Sequence, residues 1–186
     1  MHSRLARLVL LPVALLAAAA SPPEATAPCA NARLPQSILN GPPAGAPKDA
    51  LPTVDVRASG ATLRLAVAGD PQSRELGLMC VLRLRPHAGM IFPFASDANW
   101  EFWMKNTLIP LDMIWLERSG RISTLAVNVP ESTLQTSDDA VARRTGFGRY
   151  VIELPAGEAV GDGLKVGAVL RLPRLPATAS TKDLTH

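Results

Sequence analysis

Alternation of apolar and polar side chains dominates the middle of this chain. Thr53-Val54-Asp55-Val56 alternates, Ser59-Gly60 turns the chain, and Thr62 to Val67 alternates again, which predicts two strands. Asp70-Pro71 then reads as a helix N-cap followed by proline at the first helical position. It predicts a short helix from Pro71 to about Met79, with Leu76 and Met79 on its buried face. Met90 to Phe94 and Trp100 to Met104 suit strands by aromatic and apolar content. Leu111 to Glu117 is the strongest strand signal, and Ser119-Gly120 returns it into Arg121 to Val127 as a hairpin. Residues 130–148 are polar and hold Gly146 and Gly148, so they read as a long loop. Arg149 to Leu154 is a further strand, Ala156 to Gly161 suits one helical turn, and Val169 to Leu172 closes the domain. The expected fold is mainly β: a compact small barrel or sandwich of short strands with one or two short helices.

The ends of the chain carry a different pattern. Met1 to Arg7 is basic, Leu8 to Ala20 is a 13-residue apolar run, and Ala18-Ala19-Ala20-Ser21 is small. Basic, apolar, then small is the layout of a secretory signal, so residues 1–20 are expected to be a cleaved signal peptide. A spanning helix needs about 20 apolar residues, which disfavours a permanent transmembrane anchor. Lipid attachment at Cys29 is disfavoured as well, because Pro28 stands where a lipoprotein signal wants a small residue. Residues 21–52 are rich in Pro and Ala and predict a flexible arm; residues 173–186 predict a flexible tail. One domain over 53–172 remains, exported to a periplasmic or secreted location.

Composition alters this picture in two ways. The formal charge is +3, but Arg4 and Arg7 lie in the signal, and without them 17 basic residues face 16 acidic ones. No basic patch survives to bind nucleic acid. The chain has two cysteines, Cys29 and Cys80. In an oxidising compartment a disulfide could join them across the arm; alternatively Cys80 is a small buried apolar residue.

Candidate chemistry gathers between Arg74 and Asp112. Asp112 interrupts an apolar strand: Leu111, Met113 and Trp115 face one way, while Asp112, Ile114 and Leu116 face the other. A carboxylate among apolar neighbours needs a partner, and Lys105 and Asn106, just across the Ile109-Pro110 bend, are the natural ones. Glu153 is a second carboxylate in an apolar strand. Asp112, Glu153 and Lys105 make either a polar site in a pocket or an ion-pair network that fixes strand register. Met79, Met90 and Met104, with Met113, cluster in residues 79–113, and soft thioethers in an exported protein suit Cu(I); methionine also fills irregular core gaps. A zinc site cannot be built from His87 and Cys80 without carboxylates. No Gly-X-Ser-X-Gly elbow and no phosphate-cradling glycine loop is present.

Several blocks match a known pattern. Arg74-Glu75-Leu76-Gly77-Leu78-Met79, Gly89-Met90-Ile91-Phe92, Phe102-Trp103-Met104-Lys105-Asn106-Thr107 and Ile109-Pro110-Leu111-Asp112 occur in order, and Tyr150 to Gly157 and Gly163 to Gly167 close the series. Over about 53–172 the chain resembles the uncharacterised family named domain of unknown function 192. The resemblance implies a small, mainly β, barrel-like domain, often secreted or membrane-tethered, and no established activity, substrate or cofactor. The chain departs from the family where Cys80-Val81 replaces an aromatic and an arginine; Arg83 or Arg85 could stand in for the latter. The family pattern adds weight to Trp103, Lys105, Asn106, Asp112 and Glu153 as a ligand-binding group, although Asn106-Thr107 also suits a backbone-binding turn. The leading expectation is an exported domain that binds a small polar ligand or an envelope protein partner without catalysis and without a cofactor. The alternatives are an envelope enzyme with Asp112 and Glu153 as acid and base, and a Cu(I) carrier using Met79, Met90 and Met104.

Overall fold

The computed structural model describes residues 33–40 and 49–175. The expected signal peptide, Cys29 and residues 176–186 lie outside them. Six strands and two short helices follow in order: β1 (Thr53–Arg57), β2 (Thr62–Val67), α1 (Pro71–Leu76), β3 (Ala88–Trp103), β4 (Leu111–Leu116), β5 (Ile122–Val129), β6 (Arg143–Pro155) and α2 (Glu158–Gly161). They build one curved sheet of order β1-β2-β3-β6-β4-β5. All pairs are antiparallel except β2 with β3, which run parallel. A parallel pair needs a crossover, and α1 with the turns after it supplies one.

The fold is mainly β, as expected, but the sheet does not close as a continuous barrel ladder. Among the described residues, the 167–171 segment joins its two ends. Isolated bridges link Arg57 with Arg171 and Arg121 with Val169. Leu170 N–H also donates to the Gly120 carbonyl at 2.9 Å.

Two expectations about elements change. Met90–Phe94 and Trp100–Met104 belong to a single strand, β3, whose pairing with β6 shifts register between Pro93 and Ala98. Proline lacks a ladder donor there, and Phe94 stacks on Trp100 across the irregularity at 3.8 Å. Residues 143–148 are the first half of β6 rather than loop. Gly146 and Gly148 mark close approach, not a turn. A Cβ at Gly146 would lie 2.3 Å from the Trp115 ring, and one at Gly148 would lie 2.5 Å from the Leu116 carbonyl oxygen.

Strand alternation sorts the apolar residues onto two faces. Met90, Phe92, Leu111, Met113, Trp115 and Val151 fill one core. Ile91, Ile114, Leu116, Ile152 and Leu154 fill the other, under α2. The 33–40 segment, expected to be part of a flexible arm, packs on the first core. Leu34, Ile38 and Leu51 are buried, and Arg33 Nη1 donates to Asp70 Oδ2 at 3.1 Å. The apolar side chains spaced through this Pro-rich stretch have a greasy face to cover, which outweighs its loop-like composition.

Candidate functional site

The turn after α1 is set by its caps. Asp70 Oδ1 accepts from Ser73 N–H at 2.8 Å, and the Ser73 hydroxyl oxygen accepts from Asp70 N–H at 3.2 Å, a capping box. The helix then stops at Gly77, sooner than the expected Met79. Gly77 has φ +46°, a conformation that glycine adopts readily. This turn lays residues 77–79 against β3 and β6. A Cβ at Gly77 would lie 3.6 Å from the Phe92 ring and 3.9 Å from Glu153 Oε2.

A small cleft results, walled by residues 74–79, Phe92, Phe102, Trp103 and Lys105, with Glu153 in its lining. It holds about 30 Å³ of space, enough for one or two waters and far below the size of a drug-like ligand site. Phe92 and Phe102 meet edge to face at 4.9 Å. Arg74 Nη1 donates to the Gly69 and Pro93 carbonyls at 3.2 and 3.4 Å, and its guanidinium lies over Phe94. Lys105 Nζ donates to Asp138 Oδ1 at 2.8 Å and lies over the Trp103 ring, 5.2 Å from its centroid. Arg143 also lies over that ring, at 5.2 Å.

Glu153 is 5% exposed. No hydrogen bond or ion pair from the described residues reaches its carboxyl. Burial alone pushes its pKa up to about 8, because removal from bulk water penalises the charged carboxylate more than the neutral acid. In the sheet Glu153 sits between Met90 on β3 and Met113 on β4, so the row it interrupts is otherwise apolar.

Asp112 stands elsewhere. Met113 pairs with Glu153 and Asp112 with Leu154, which sends the two carboxylates to opposite faces of the sheet. They cannot act as acid and base across one cleft. Asp112 is fully buried, as its place in the strand predicts, but its partners are not Lys105 and Asn106. Its Oδ1 accepts from Asn128 N–H at 2.8 Å and its Oδ2 from Ala159 N–H at 2.9 Å. The first donor lies where two β5 residues oppose one on β4, with Asn128 at φ +51°. The second is an unpaired amide of α2, whose own N-cap, Gly157, offers no side chain. Asp112 thus ties a bulge and a helix start to β4. Lys105 emerges on the other face, after Trp103.

Asn106 is a turn residue, at φ +51°, and its carbonyl accepts from Cys80 N–H at 2.8 Å. That bond ties the residue just after the Arg74–Met79 block to the Phe102–Thr107 block. Cys80 carries no free thiol, so it offers His87 no nucleophile; its expected partner Cys29 lies outside the described residues. Met90 and Met104 are fully buried in the first core, whereas Met79 borders the cleft.

A second polar group, His87 with Glu158 and Asp162, escaped the sequence reading because its carboxylates lie more than 70 residues away from the histidine. Their ligand atoms fall within 4.8 Å of one another. His87 N–H donates to Glu158 Oε2 at 2.9 Å, and His87 Nδ1 meets Asp162 Oδ2 at 3.1 Å, which raises the imidazole pKa. The trio clasps α2 to the start of β3.

Comparisons with known proteins bear on the family and the fold. Residues 54–172 match the model of the DUF192 family, described as Uncharacterized ACR. A search of curated proteins finds no match. Among solved structures, the chain is similar to a Sinorhizobium meliloti 1021 protein described as a "putative transcription regulator". That match has 34% identity and a TM-score of 0.56, and covers 65% of this chain and 94% of the other. It is also similar to a protein of unknown function from Novosphingobium aromaticivorans DSM 12444. There the identity is 27% and the TM-score 0.56, over 71% of this chain and 94% of the other.

Proposed function

The chain belongs to the DUF192 family, and from that premise we propose that it is an exported domain that binds a small polar group in the Glu153 cleft without chemical conversion. One observation carries this reading. Among the described residues, the cleft is lined by members of the sequence blocks that mark the family resemblance, and it contains a carboxyl, on a residue only 5% exposed, that accepts no hydrogen bond from them. A purely structural acid would be expected to look like Asp112, with a donor on each oxygen. Binding without catalysis is favoured because, among the described residues, Asp112 stands on the opposite face of the sheet and Cys80 carries no free thiol, so neither serves Glu153 as a second acid or a nucleophile. The size of the cleft favours a single functional group over a whole metabolite.

Export rests on the N-terminal pattern of basic, apolar and small residues. Among the described residues, no helix is long and apolar enough to cross a membrane. Cell fractionation with mass determination of the mature N-terminus tests this part: a cleaved N-terminus between Ser21 and Cys29 is expected, and a retained Met1 in the cytoplasm overturns it.

Binding is tested by two-dimensional NMR of the domain against a library of small polar fragments. Saturable shifts are expected at the Trp103 indole and at the amides of Gly77, Leu78 and Glu153. Glu153→Leu should abolish them while keeping the circular dichroism spectrum. Shifts scattered over the surface, or unchanged by that substitution, would overturn the reading.

A further inference from the structure

We infer that the group received by this cleft is a carboxylate, hydrogen-bonded to the Glu153 carboxyl and drawn in by the positive charges of Arg74 and Lys105. The inference rests on the binding reading above and names its ligand class. Three features of the cleft support it.

The first is charge. Among the described residues, Arg74 and Glu75 on α1 and Lys105 after β3 are the charged ones that line the cleft with Glu153; its register partners on β3 and β4 are Met90 and Met113. Both cations are held in place, Arg74 by two carbonyls and Lys105 by Asp138 and the Trp103 face. In the Lys105–Asp138 pair the carboxylate is largely exposed and the lysine about one-third exposed, so solvent screens their mutual neutralisation.

The second is the state of the acid. Burial holds Glu153 protonated at neutral pH, and a protonated carboxyl offers an O–H donor. A hydrogen bond from an acid to a carboxylate is charge-assisted and roughly twice as strong as a neutral one. An ammonium ligand would have to displace the Glu153 proton and then sit beside two cations.

The third is shape. The space admits a group of two or three heavy atoms. Phe92, Phe102, Leu78 and Met79 offer apolar contact to the carbon chain behind it. A free short-chain acid and a peptide C-terminus share this chemistry.

The test is NMR titration of the full domain with propionate, methylammonium, and an N-acetylated dipeptide in acid and amide forms, at about pH 6.5 and about pH 9.5. Propionate or the peptide acid should bind at the lower pH and weaken about tenfold or more at the higher, as Glu153 loses its proton. Methylammonium and the peptide amide should not bind. Stronger binding of the peptide acid than of propionate identifies a chain end, and the reverse identifies a free acid. Glu153→Gln keeps a donor without the titration, so carboxylate binding should persist and lose its pH dependence. Carboxylate binding that is independent of pH, or methylammonium binding that tightens as pH rises, overturns the carboxylate while leaving the cleft as a site. Binding of no probe and no fragment at the cleft overturns both.

Discussion

Glu153 and Asp112 are both buried acids in apolar strands, but Asp112 has a backbone donor on each oxygen and Glu153 has none among the described residues. The folded pKa of Glu153, about 8, lies above its ordinary 4.5. The folded state therefore holds a proton that the unfolded state has lost. The stability from this position is fully present below about pH 4.5 and falls by about 1.4 kcal/mol per pH unit until the folded pKa is passed. Glu153→Gln should remove that slope and make the protein more stable than the wild type above pH 8, as urea unfolding at several pH values will show; parallel curves for the two proteins would refute it. Asp112→Asn should act differently. An amide group must turn its NH₂ toward one of the two backbone donors, so a loss of about 2–4 kcal/mol is expected. Near wild-type stability in denaturant would contradict the role assigned to this carboxylate. The sequence revealed which face Asp112 occupies, since alternation with a period of two fixes it. It could not reveal the donors, which are backbone amides 16 and 47 residues further on and belong to no side-chain pattern.

At the scale of elements, strands whose side chains alternate were legible from sequence, and strands shaped by close backbone approach were not. β1, β2 and β4 lie where the pattern placed them. The first half of β6 looked like a loop because glycine commonly marks turns, whereas Gly146 and Gly148 are there to let Trp115 and the backbone at Leu116 come near. Gly146→Ala should cost on the order of 3 kcal/mol, because the methyl group would overlap a fully buried indole. Gly161→Ala, where nothing lies within 4 Å of the new carbon, should be nearly silent. Thermal melting of the pair is the check, and equal effects would show that crowding does not explain the glycine in β6. The cleft follows the same logic. Its residue types were visible, but the meeting of α1 with β6 depends on the parallel crossover and on Gly77, which no local period encodes.

For the whole molecule, the boundary of the domain is the main revision. Composition sets residues 21–52 apart as an arm, yet the part of that stretch described by the structure covers one face of the sheet. Ile38 is fully buried in the core that also holds Trp115 and Met104. Ile38→Ala should therefore destabilise the protein by about 2–4 kcal/mol, measured by chemical unfolding. A change within a few tenths of a kcal/mol would mean that the segment is not part of the folded unit.

The 167–171 segment that links Arg57 to Arg171 and Arg121 to Val169 has a consequence for biosynthesis. A ribosome makes these residues after every strand they join, so in a nascent chain both margins of the sheet stay open until this segment has left the exit tunnel.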